Sequence, residues 1–109
     1  GLPARAPDDA TRRLLREARV RTPDRFEDGF HGDGVRVERL ARILEELPDG
    51  VTELMCHPAV VDDALREGSR YAGARDLERE ILCDPAIREL VRSRRIRLAG
   101  FEALAARMR

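Results

Sequence analysis

The chain has 109 residues, which suits one domain of ordinary size. It is 42% hydrophobic and 39% charged, its 21 basic and 21 acidic residues cancel, and every basic residue is arginine. That balance gives no footing for nucleic-acid or membrane-surface binding, both of which draw on a basic excess, and no apolar run approaches the ~20 residues of a membrane span.

In chain order, "DDATRRLLREAR" reads as a first helix capped by Asp8 or Asp9, with Ala10, Leu14, Leu15 and Ala18 on one face. "RTPDRFEDGFHGDG" reads as a loop because turn formers cluster after Phe26. "VRVERLARILEELPDG" is the clearest helix: Val37, Leu40, Ala41, Leu44 and Leu47 share a face, and Pro48 and Gly50 stop it. "VTELMCH" then reads as a short buried strand. A short helical turn is open to "AVVDDALREGSRYAG". "ARDLEREILC" reads as a helix burying Leu77 and Ile81. "DPAIRELVRSR" starts another, with Asp84 as N-cap, Pro85 at the first helical position, and Ile87, Leu90 and Val91 as its apolar face. "RIRLAGF" reads as a second strand, and "FEALAARM" as a closing helix with Phe101, Leu104 and Met108 in phase. The expectation is α/β, with about five helices and two short parallel strands in a single domain or fragment, 1–109. Two strands alone make a marginal sheet, and an exposed edge invites a second copy, so a homodimer or higher self-association is expected.

Cys56 and Cys83 form neither a disulfide framework nor a CxxC pair. A structural zinc site is therefore not expected, and both are read as reduced and at least partly buried in a cytoplasmic protein. No signal peptide opens the chain, and Gly1 in place of methionine points to a tag remnant or a piece of a longer protein. With no Trp and four aromatics, a stacking platform for sugars or bases is thin.

Candidate chemistry centres on His57. At the carboxyl end of the strand 51–56 it occupies the position where α/β folds place ligands, and a histidine there can move a proton near neutral pH. The bland alternative is a strand-end histidine bonded to backbone. Asp62 and Asp63 could orient His57 or assist a metal, or could cap the next helical turn. His31, between glycines in "GFHGDG", is a weaker candidate for substrate contact; the alternative is an exposed loop histidine. Glu53 in the strand could serve the site or pair with an arginine as structure. No Ser-His-Asp order, HExxH or phosphate-binding loop is present.

Taken together, "PDRFEDGFHGDG", "LPDGVTELMCHP" and "SRYAGARDLEREILCDPAIRELVRSRRIRLAGFEAL" resemble the C-terminal part of the YdjC-like carbohydrate deacetylases. That family includes chitooligosaccharide deacetylases and the hopanoid-biosynthesis relative HpnK. The resemblance runs from about Leu2 to Leu104, "TELMCHP" being its most specific piece. It implies a (β/α) barrel-like fold and removal of N-acetyl groups from amino sugars or oligosaccharides with a divalent metal, Mg or Zn, and an activated water. It implies that His57 is the general acid for the leaving amine, or orients the acetyl group, and that Glu53 supports it. The family's metal-binding aspartate and histidines fall before the matched part. No metal ligands are therefore assigned in this chain, no metal is expected bound to it, and alone it should be inactive. Ala59 stands where the family usually has glycine, and His31 where an aromatic is expected. A backbone needing positive φ would be strained at Ala59. The alternative from another class is a non-catalytic α/β interaction module that self-associates.

Overall fold

In the computed structural model, which describes residues 2–60, 62 and 72–106, the segment read as a loop contains a strand. β1 (Arg25–Glu27) pairs in parallel with β2 (Thr52–Leu54), in the register Arg25 to Thr52, Phe26 to Glu53 and Glu27 to Leu54. The helices are α1 (Asp9–Glu17), α2 (Val37–Glu45), α3 (Ala72–Leu82), α4 (Pro85–Ser93) and α5 (Glu102–Ala106), with a 3-10 turn at Gly32–Gly34. Among the described residues the expected five helices and two parallel strands are therefore present, but one strand is not where it was expected. "RIRLAGF" forms none: Leu98 is 79% exposed, and Arg95 takes a φ of 56°, outside the β region. The strand was hidden in "RTPDRFEDG" because turn formers flank it on both sides. Parallel strands need a long crossover, and the sequence between β1 and β2 supplies one containing α2.

The chain divides into two compact units. The first comprises residues 1–27, 48–54 and 97–109, and includes α1, the two strands and α5. Its strand pair is set by a polar clip: the Asp24 carboxylate accepts the Val51 N–H at 2.7 Å, and the Arg25 N–H donates to the Val51 carbonyl at 3.1 Å. Gly50 beside the clip has φ 106°, and a Cβ there would lie 2.6 Å from Asp24 Oδ2, so only glycine fits. Arg5 then covers the register pair Phe26 and Glu53. Its guanidinium stands 5.3 Å from the Phe26 ring centroid and donates to Glu53 Oε1 at 2.6 Å. Asp8 caps α1 by accepting the Thr11 N–H at 2.7 Å. That bond and the nearby Arg12 hold its carboxyl below the usual range. The expected apolar face of α1 is not buried; Leu14 is 66% exposed.

The second unit comprises residues 28–47 and 55–96. α2 packs against α4, and α4 against α3. Among the described residues its buried apolar side chains are Phe30, Val35, Leu40, Ile43, Ile81 and Ile87. Burying each such side chain is worth about 1.5–3 kcal/mol relative to exposure. Val35 and Leu40 hold the two positions of a hydrophobic staple around the N-cap Arg36. α4 starts as read: Asp84 accepts the Ala86 N–H at 2.8 Å, and Pro85 opens the helix. α3 is turned from its expected face. Ile81 is buried as expected, but Leu77 is 43% exposed and Glu78 is buried in its place. The turn read in 59–73 lies mostly outside the described residues, as do Asp63 and Met108.

Candidate functional site

The glycine-rich loop brings His31 up from one side. His31 precedes the 3-10 turn with extended backbone (φ −155°, ψ 150°), and its carbonyl accepts the Gly34 N–H at 2.9 Å. A Cβ on Gly34 would collide with the Gly29 carbonyl oxygen, so the loop closes this tightly only because position 34 has no side chain. Gly32, next to His31, lies in the left-handed region at φ 58°.

α3 presents the other side. Glu78 has 0% exposure, and its Oε1 accepts the His57 backbone N–H at 2.7 Å. Two positions on, the Ala59 N–H reaches the Arg75 carbonyl at 3.2 Å. The "CHPA" segment is thus docked along α3 by two bonds that bracket Pro58. The strain expected at Ala59 does not arise, because Ala59 is not among the positive-φ residues; among the described residues other than glycine these are Arg19 and Arg95.

Held in this way, the rings of His31 and His57 meet edge to face, with centroids 5.9 Å apart and planes at 67°. One ligand-capable atom each from His31, His57 and Glu78 lies within 4.8 Å of the other two. The group grades from an exposed imidazole through a half-buried one to a buried carboxylate. Two imidazoles and a carboxylate suit a divalent transition ion. Cys56 lies near this group, and burial first, then the Glu78 charge, pushes its thiol above the usual range. It therefore stays protonated at neutral pH. Cys83, expected to be partly buried, is exposed, and both cysteines are free thiols.

The structure therefore brings His57 and His31 together. Glu53 belongs to the first unit, where Arg5 holds it at 2.6 Å and its side chain is 12% exposed. Asp62 is exposed. Glu78 was missed by sequence reasoning, which gave α3 the face of Leu77. The available signal was the alternative stripe Ala74, Glu78, Ile81 and Leu82 at helical spacing, an acid within an apolar row.

The profile of the YdjC-like proteins matches residues 3–93. The chain belongs to the YdjC-like family. A carbohydrate deacetylase of Thermoanaerobacter pseudethanolicus is 41% identical over 88 residues, which are 81% of this chain and 35% of the relative. One from Geobacillus stearothermophilus is 40% identical over 76 residues, 69% of this chain and 31% of the relative. The crystal structure of an Enterococcus faecalis protein assigned to cellobiose-phosphate cleavage superposes with a TM-score of 0.80 at 31% identity. It covers 94% of this chain and 41% of that one. This YdjC-like chain thus spans about a third of the length of the curated relatives it matches. No helix among its described residues is long and apolar enough to cross a membrane.

Proposed function

We propose that this chain is the C-terminal part of a metal-dependent carbohydrate deacetylase of (β/α) barrel-like fold, which hydrolyses the N-acetyl groups of amino sugars or their oligomers in the cytoplasm. Membership of the YdjC-like family and the relatives described as carbohydrate deacetylases support the reaction class. The observation that carries this chain's part in it is the clamp on His57 by Glu78. A half-buried imidazole with its backbone fixed from a neighbouring helix is suited to meet one substrate atom repeatedly.

In such a reaction a divalent metal, Mg2+ or Zn2+, supplies Lewis acidity at the amide carbonyl. We assign its ligands to the part of the longer protein that this chain does not include. Breaking the C–N bond expels an amine, which must be protonated as it leaves, and His57 in its imidazolium form delivers that proton or orients the acetyl group. His31 reaches the sugar from its loop. Glu53 supports the site indirectly by pinning β2 to Arg5. Alone, the 109-residue chain is inactive.

The test is metal-dependent release of acetate from N-acetylglucosamine oligomers. The protein at its natural length, the same protein with His57→Ala, and the 109-residue chain are compared. The expected result is activity in the first only, with His57→Ala lowering kcat by at least about 100-fold. Unchanged turnover in His57→Ala removes His57 from the chemistry. A natural-length protein that binds metal but deacetylates no member of the series removes the substrate class.

A second reading, self-association, is favoured by the strand pair itself, since no third strand joins β1 and β2 among the described residues. Such an edge can pair with another copy. A monodisperse monomer by light scattering at high concentration counts against it.

A further inference from the structure

We infer that His31, His57 and Glu78 form a binding site for a zinc-class divalent ion within this chain, separate from the metal assigned above to the rest of the enzyme. Two independent observations meet here. The first is convergence: three side chains from the glycine-rich loop, the "CHP" segment and α3 bring one nitrogen or oxygen each to within 4.8 Å of one another. The second is the state of Glu78. It is fully buried, its Oε1 is satisfied by the His57 N–H, and its Oε2 is buried with no hydrogen-bond partner among the described residues. No ion pair reaches Glu78 there either. A buried carboxylate with one open oxygen is costly unless a cation meets it, and a metal ion between Oε2 and two imidazoles is the compensation this geometry offers.

The donors decide the class of ion. Mg2+ and Ca2+ prefer all-oxygen sets, whereas two imidazole nitrogens with one carboxylate oxygen favour Zn2+, Co2+ or Ni2+. Zinc-to-ligand bonds of about 2.0–2.1 Å set neighbouring donors about 3.3 Å apart in a tetrahedron, so the group must contract on binding. Contraction is easiest for His31, which is exposed and flanked by Gly32 in the left-handed region. Glu78 and the His57 backbone already hold each other. Cys56 is not one of the three convergent donors. An ion seated here would occupy the His57 imidazole, so binding and proton delivery by His57 exclude each other. That consequence rests on the deacetylase reading; the binding itself does not.

The test therefore reads binding rather than turnover. The complete 109-residue chain, carrying Cys83→Ser to remove its exposed thiol, is titrated with Co2+ alone and followed by visible d–d absorption. Zn2+ displacement and calorimetry give stoichiometry and affinity. The expected result is one ion per chain, with affinity falling at least about 10-fold in each of His31→Ala, His57→Ala and Glu78→Gln. His31 is exposed, so His31→Ala tests the site even if Glu78→Gln fails to fold. No Co2+ band, or binding that survives both histidine substitutions, overturns the inference. Because deacetylation is not measured, its failure is distinguishable from a failure of the proposed function.

Discussion

The two units of this chain are built by different means. Among the described residues of the second, six buried apolar side chains, Phe30, Val35, Leu40, Ile43, Ile81 and Ile87, come from a loop and three helices. Among the described residues of the first, the buried apolar ones are Ala6, Pro23 and Leu104, and α1 buries nothing. Its order comes instead from the Asp24 clip, the Asp8 cap and the Arg5 bridge over Phe26 and Glu53. Apolar packing is set by volume and tolerates changes of charge or pH. Polar clips are set by direction and by ionisation. The same chain thus contains one region to be broken by cavities and another to be broken by altering single polar atoms or φ angles.

The largest effect should come from the packed unit. Leu40→Ala removes a fully buried side chain from α2 and is expected to cost about 2–5 kcal/mol in urea denaturation. Leu14→Ala, on the exposed face of α1, should stay within about 0.5 kcal/mol. Similar losses from both would erase the contrast between the units. A smaller effect is expected from Gly50→Ala. It forces a Cβ into a φ of 106° and against the Asp24 carboxylate, at a cost of about 1–3 kcal/mol. Hydrogen exchange at the Val51 amide should accelerate, since that N–H loses its acceptor; an unchanged rate would show that Asp24 does not set the strand register. The smallest effect is in pH. The folded state depresses the Asp8 carboxyl, so its contribution to α1 is complete above the unfolded-state value and is lost as pH falls through the folded one. NMR shifts of the first turn of α1 should therefore move toward coil on acidification, and Asp8→Asn should flatten that response.

Much of this was legible in the sequence where a local rule and the tertiary outcome agree. The Asp84–Pro85 start of α4 and the Asp8 cap of α1 each rest on chemistry within one helical turn; of the face expected of α2, Leu40 is buried, and Ile43, off that face, is buried with it. What was not legible depends on distant partners. Arg25–Glu27 becomes a strand because "TEL" offers it a parallel edge, and nothing in "RFE" announces that. "RIRLAGF" has a better strand composition, yet no described strand pairs with it. At the site, "TELMCHP" pointed to His57 and the glycines to His31. The residue that joins them, Glu78, was concealed because an acid in an apolar row reads as a solvated surface until the helix is seen from the side it buries. A glutamate was sought in Glu53, where the motif drew attention, and there the structure shows an arginine partner.

The bond between Glu78 and the His57 backbone joins residues 21 positions apart. The location of the imidazole is therefore fixed by its destination on α3 and not by the length of chain that leads to it. A peptide connection anchored at both ends can gain or lose residues at little entropic cost, since closure entropy grows only with the logarithm of length. Among YdjC-like sequences, insertions and deletions between "CHP" and the helix carrying the glutamate should therefore be common. Changes in the spacing from that glutamate to the carbonyl acceptor three residues before it should not occur, because they would rotate the anchor off its face.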